Sequence, residues 1–525
     1  MPFCQELELL TNFKSENQMK KYIKYLALAS LVFTSCDPEF NDSVEDGDFY
    51  TAGEADFSNF VSVGNSLTAG FADNALYIEG QKNSFPNIMA QQFKRVGGGD
   101  FVQPLMNDNL GGLLSNGNQI ADTRLVLGVD AEGNPGPRNI SGTPTTDITN
   151  SIHGGQMNNF GVPGAKSFHL VAPGYGNVAG VAANPYFVRF ASAEDATVIG
   201  DAMAQNPSFF SLWIGNNDIL GYATSGGVGV NQQGNLDPTT YGGNDITDIN
   251  VFGSDYSDLI ETLASNTSGG VVYNIPDVTN IPFFTTVPAN PLPLDETTVT
   301  ILNATFQAYN EQVLPGLQQQ GVLTEEEVAL RQINFQAGPG NFVTIVDEDL
   351  TDLTQILQGA PFNLSPEQAQ TLGQLRQANE TDLIVLPAAN FIGSQVPGGG
   401  VSAINGVSVP LGDQWVLTAT EQAEINQARV AYNGTIQALA NQHNVAFVDV
   451  DMLLQEVAEG LPTDSGVLTS EFAAGGAFSL DGVHLTPRGY SVIANRAIDA
   501  INEKYGSSVP RVNPGDFRTI QPSNN

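Results

Sequence analysis

The chain is poor in the residues that make sulfur and metal chemistry. Of its 525 residues only two are cysteine, Cys4 and Cys36, and both lie near the N-terminus. Disulfides and cysteine-based zinc sites are therefore excluded from the body of the protein. The four histidines, His153, His169, His443 and His484, are scattered without the spacing of a metal-binding cluster. Basic residues are also scarce: 19 Lys and Arg stand against 56 Asp and Glu, a formal net charge of −37. Nucleic acid is not a partner on this composition, because phosphate binding needs clustered Lys and Arg. A surface this acidic also repels anions, so a small substrate is expected to be neutral. No apolar run reaches the roughly 20 residues needed to span a bilayer. What is present is enough apolar side chain to build a core, 41% of the total, in a chain long enough for two or three average domains or one domain with large insertions.

The N-terminus reads as an address rather than as structure. Lys20, Lys21 and Lys24 form a basic stretch, Tyr25 to Phe33 a short apolar one, and Thr34-Ser35-Cys36-Asp37 follows. This is the layout of a secretory signal, with Met19 as the start it implies. Small residues ending at a cysteine resemble the lipobox of bacterial lipoproteins, although Phe33 stands where leucine is usual. The resemblance implies cleavage before Cys36, lipidation of its thiol, and an exported protein anchored to a bacterial membrane, at the outer membrane or cell surface. Residues 37–56 are acidic and rich in turn formers, which predicts a flexible tether.

From residue 57 the pattern changes. Phe57–Val63, Phe209–Ile214, Val271–Ile275, Leu383–Leu386 and Val445–Val450 are short apolar runs, most without polar alternation, as expected of strands buried on both faces. Helical patterns lie between some of them, at Asp255–Leu263 and from Ala419 to Leu439. The clearest helix follows Thr486, a good N-cap, with Pro487 at its first position and Gly506 to end it. This alternation predicts one α/β domain over residues 57–505, with a parallel sheet covered by helices on both faces, and a C-terminal tail over 506–525. Residues 106–150 and 283–380 read as insertions. Within the second, Ile301–Leu314 predicts a helix stopped by Pro315-Gly316. Its apolar positions Leu302, Phe306, Tyr309 and Val313, with Phe283 and Phe284 at its start, raise the expectation that this insertion borders a binding site and shapes its pocket. Asp347-Glu348-Asp349 reads as a solvated acidic turn in preference to a calcium loop.

Three distant segments carry chemistry together. Val63-Gly64-Asn65-Ser66-Leu67 puts a serine on a turn after a predicted strand. At the carboxyl edge of a parallel sheet such a serine is exposed to ligand, and its own N–H points at an incoming anion. Gly215-Asn216-Asn217-Asp218 puts the amide of Asn217 after another strand. Asp481-Gly482-Val483-His484 sets a carboxylate three residues before a histidine. Ser66 is then a nucleophile, His484 its base, and Asp481 the group that orients and charges the imidazole. Ser66 N–H, the Asn217 side chain and the backbone of Gly164, in the turn Asn159–Gly164, are candidate donors to a developing oxyanion.

These segments resemble the conserved blocks of the SGNH (GDSL) hydrolases, in the family's order: Gly64 to Leu67, Asn159 to Gly164, Gly215 to Asp218, and Asp481 to His484. The resemblance implies a three-layer α/β/α, flavodoxin-like fold. It implies Ser66 as nucleophile, Gly164 and Asn217 as oxyanion donors, and Asp481 with His484 as orienter and base. Asn65 departs from the pattern, since the family usually has Asp there. The expectation is a lipid-anchored serine esterase or lipase that needs no cofactor and no metal. The rival readings are a carbohydrate acetyl esterase, for which Trp213 and Tyr222 would stack on sugar, and a non-catalytic glycan- or lipid-binding protein on the same fold.

Overall fold

The computed structural model describes residues 50–523, apart from 130–132, 134, 153–154, 181–182 and 399–402. The segment read as a signal, Cys4, Cys36, the first part of the expected tether and His153 lie outside the described residues.

Five parallel strands form the centre: β1 (Phe60–Gly64), β2 (Asn159–Gly161), β3 (Phe209–Trp213), β4 (Gly269–Tyr273) and β5 (Ala446–Val448). Their order across the sheet is β5-β4-β3-β1-β2. Gly64 at the end of β1 pairs with Gly161 of β2 on one side and with Trp213 of β3 on the other. Every residue of β1 and β3 is buried, as a strand covered on both faces must be.

The helices that matter to the site are α1 (Ser66–Ala69), α2 (Phe85–Phe93), α3 (Val198–Ala204), α4 (Asn217–Thr224), α5 (Ile249–Ala264), α6 (Ala419–Gln442), α7 (Val450–Glu459) and α8 (Pro487–Tyr505). They pack in two sets, α2 with α8, and α3 and α6 with α5. Phe85 of α2 sets its ring edge-on to Trp213 and Tyr273, which stack at 5.0 Å. Helix α8 begins and ends as its sequence predicts: Thr486 accepts from Gly489 N–H, and Gly506 closes it at φ 63°.

Four expectations need correction. Leu383–Ile384 pairs with Val416–Leu417 in a separate antiparallel ribbon and takes no part in the central sheet. Val450 opens a helix rather than ending a strand, because Asp449 caps the N–H of Met452. Asn159–Gly161, read as a turn, is the edge strand β2. The insertion helix starts earlier than predicted, at Glu296, and passes Pro315. A π-helical turn over Tyr309–Val313 precedes the proline, which then sits in the first turn of Leu314–Gln319, where a missing N–H is tolerated.

The end of the tether is also more ordered than its composition suggests. Glu54 N–H donates to Tyr505 O at 2.8 Å, and Asp56 N–H to Ser268 Oγ at 2.8 Å. Residues 50–56 thus belong to the body, held beside the amino ends of β3 and β4.

Candidate active site

The strand order explains how three distant loops meet. Ser66 follows β1, Gly164 follows β2, and Asn217 follows β3, and these are adjacent strands. In an open parallel sheet their carboxyl ends share one crevice.

Gly64 permits the tight exit from β1, since a Cβ there would lie 2.3 Å from Trp213 O and 2.2 Å from Thr68 Oγ1. Asn65 then caps α1, its Oδ1 accepting from Leu67 N–H at 3.0 Å. Its Nδ2 donates to Asn216 Oδ1 at 3.3 Å, which links the β1 and β3 loops. A carboxylate at position 65 would cap as well but has no N–H to make that link. Ser66, at the start of α1, has an N–H with no partner among the described residues.

Ser66 Oγ lies 2.9 Å from His484 Nε2, and His484 Nδ1 lies 2.9 Å from Asp481 Oδ2. The carboxylate fixes the tautomer: Nδ1 carries the proton and donates it to Asp481, leaving Nε2 to accept from the serine hydroxyl. The turn that holds the pair needs Gly482 at φ 72°, where a Cβ would come within 3.0 Å of Phe283 N. Asp481 Oδ1 accepts from the N–H groups of Val483 and His484 at 2.9 and 2.8 Å. Burial opposes its charge, yet His484 and these donors outweigh burial and hold the Asp481 carboxyl well below the usual carboxylate range. The Phe71 ring covers the imidazole, with centroids 4.6 Å apart.

Sequence reasoning missed the brace behind this pair. Ala72-Asp73-Asn74-Ala75 is a tight turn in which Ala72 and Ala75 exchange backbone hydrogen bonds of 3.1 and 3.0 Å. Both central residues have positive φ, 53° and 61°. Asn74 N–H donates to Asp481 Oδ2 at 2.9 Å. Asp73 N–H donates to Ser479 Oγ at 2.9 Å, and Ser479 Oγ donates to Asp481 Oδ1 at 3.1 Å. The Asp73 carboxyl, buried and pushed up to about 6 by that burial, accepts from Leu480 N–H and Tyr77 Oη. The Asp-Asn pair was the available signal, since both tolerate the left-handed region.

Asn217 Nδ2 donates to Ala165 O at 2.9 Å, which ties the β3 loop to the turn containing Gly164. An amide has two N–H groups, so one remains for an oxyanion. Gly164 is exposed at φ 81°, its N–H unpartnered among the described residues. It does not itself line the cleft beside Ser66.

That cleft encloses about 790 Å³, including space open to solvent. Asn65, Ser66, Asn216, Asn217 and His484 form its polar end. The rest is apolar: Leu220, Val278 and Ile281, together with Val450, Leu453, Leu454 and Val457 of α7 and Phe478, Val483 and Val492. No residue of 283–380 lines it. Leu302, Phe306, Tyr309 and Val313 are all buried against the core, so the insertion's apolar face does not shape the pocket as predicted. The insertion reaches the catalytic turn at Phe283, whose N–H donates to Gly482 O at 3.0 Å.

The other described histidines are elsewhere. His169 accepts from Lys166 N–H and stacks on Tyr175 with centroids 4.5 Å apart, and burial lowers it to about 4. His443 ends α6. Trp213 is 1% exposed and donates to Asn274 O, and the buried Tyr222 donates to Glu424, so neither ring is free to stack on a sugar. Among the described residues, one group of three metal-ligating side chains comes within reach of a single ion, Glu348, Asp413 and Glu421, and none of them lines the cleft. Compared with protein-family models, with curated proteins and with solved structures, the chain matches none.

Proposed function

We propose that the protein is an SGNH-type serine hydrolase that cleaves neutral carboxylic esters through an acyl-enzyme. The observation that carries this reading is the relay of two 2.9 Å contacts from Ser66 Oγ through His484 to Asp481. Its placement supports the family: the order 2-1-3-4-5 is that of flavodoxin-like sheets, with the relay at their carboxyl edge.

In the first half-reaction Ser66 Oγ attacks the ester carbonyl while His484 Nε2 takes its proton. The new O–C bond leaves an oxyanion facing Ser66 N–H and the free N–H of Asn217; Gly164 N–H, outside the cleft lining, is the third donor that the family resemblance implies. Each such donor contributes about 2.7–4 kcal/mol to lowering the barrier. His484 then gives its proton to the leaving alkoxide, and an alcohol departs. In the second half-reaction water repeats the attack, and the carboxylic acid leaves. Asp481 stays anionic throughout and stabilises the imidazolium.

The apolar cleft suits the acyl group and favours a hydrocarbon chain over acetyl, since its walls reward each buried CH₂ by about 0.8 kcal/mol. Attachment to a membrane through a lipid on Cys36 is part of the same proposal. The test is covalent labelling by a fluorophosphonate, followed by hydrolysis of esters of graded acyl length. Labelling of the wild type and none of Ser66→Ala is expected. A wild-type protein that resists the probe and hydrolyses none of the esters would overturn the reading.

A further inference from the structure

The acidic tripeptide 347–349 does not form a uniform solvated turn. Asp347 is buried and paired with Arg376, which also holds Asp382, so that guanidinium is committed. Glu348 turns instead toward two carboxylates from elsewhere in the chain, Asp413 and Glu421. One carboxylate oxygen of each lies within 4.8 Å of the others. Glu421 is only 3% exposed. Its Oε2 accepts from Thr418 N–H and Oγ1 at the start of α6. Its Oε1 is buried with no hydrogen-bond partner among the described residues. A buried carboxylate with an unpartnered oxygen, grouped with two further carboxylates, is costly unless something positive sits among them.

The chain makes room for this oxygen. Gly226 and Gly227, just past α4, both adopt positive φ, 69° and 86°. A Cβ on Gly227 would lie 1.6 Å from Glu421 Oε1, and one on Gly226 2.3 Å from Asp413 O. Burial first, and then the neighbouring Glu348, push Asp413 and Glu421 above the usual carboxylate range.

We propose that Glu348, Asp413 and Glu421 bind a calcium ion that fastens the segment between β4 and α6 to the start of α6. The donor set is all oxygen, without nitrogen or sulfur, which selects a hard cation. Two oxygens sharing one calcium at roughly 2.4 Å are at most about 4.8 Å apart, whereas magnesium at about 2.1 Å draws its ligands closer. Glu348 is exposed, so the ion has an entry path, and water completes the shell.

The test uses the full-length protein stripped with EDTA, and its readouts do not depend on ester hydrolysis. Calorimetric titration with calcium chloride should show one site. Saturating calcium should raise the melting temperature by at least about 2–4 °C over EDTA, and magnesium by less. Glu348→Gln, at an exposed position, should fold, weaken calcium binding at least tenfold and lose the thermal shift. Asp413→Asn should do the same. No calcium heat and no shift in the wild type would overturn the proposal, and the carboxylates would then share protons instead. Equal calcium shifts in the wild type and both variants would also overturn it, by placing the ion elsewhere.

Discussion

At the scale of single residues, the proposed reaction makes Ser66, His484 and Asp481 one unit, so their substitutions are not expected to be additive. Ser66→Ala and His484→Ala should each lower kcat by about 10⁶, and the double variant by little more. Comparable turnover in purified Ser66→Ala would remove the nucleophile. Asp481→Asn should cost about 10⁴ in kcat, because an amide neither fixes the tautomer nor balances the imidazolium. Asp481 titrates lower in the folded than in the unfolded chain. Its contribution to stability is thus fully present above the unfolded carboxylate range and fades as pH falls through the folded value, which denaturant melts of wild type and Asp481→Asn in acid would separate. The triad was legible because each motif is local: Asp481 and His484 share one turn. Asn74 and Ser479 were not, because they brace that turn across 407 and 406 positions respectively, to Asp481 and Asp73, a distance over which spacing carries no signal.

At the scale of elements, Ser66 is positioned by close backbone approach. A Cβ on Gly161 would lie 2.3 Å from Ala69 N and 2.6 Å from Thr68 C, so β2 fits against α1 only while position 161 is bare. Gly161→Ala should shift α1 and reduce kcat at least about tenfold while the protein still folds, because core overpacking costs about 1–3 kcal/mol; circular dichroism and kcat measured together check this. If the acyl group occupies the cleft that α7 lines, Val457→Phe should shorten the preferred acyl chain. An unchanged profile across the ester series would place the acyl group elsewhere. Neither β2 nor α7 was visible beforehand. β2 is three residues long, Asn-Phe-Gly, without a β-branched side chain, and Val445–Val450 is one apolar run that the chain splits at Asp449 into a strand and a helix. By contrast α8 was legible to its ends, because Thr486, Pro487 and Gly506 are caps whose preference is local.

At the scale of the whole molecule, the alternating strands and helices were legible, and the long segment between β4 and α6 was not. Its elements pack on one another and on the core through side chains whose spacing does not announce a partner, as Leu383–Ile384 shows by pairing outside the central sheet. The upstream segment makes its own prediction. Cys36→Ala should abolish incorporation of a fatty-acid analogue and release the protein from membranes, since stable anchoring takes two or more acyl chains. Labelling that persisted in this variant would contradict the lipobox reading.

The distance between Ser66 and its base has a consequence for the order of events during synthesis. The two residues are 418 positions apart. A ribosome that has finished β3 has already supplied the serine and the loops around it, but no group able to take its proton. That group arrives only when α8 docks on α2, a contact of high sequence separation, and such contacts form slowly. If the proposed reaction holds, the growing chain therefore carries an inert serine, and reactivity begins only after residue 484 has been made and seated beside Ser66.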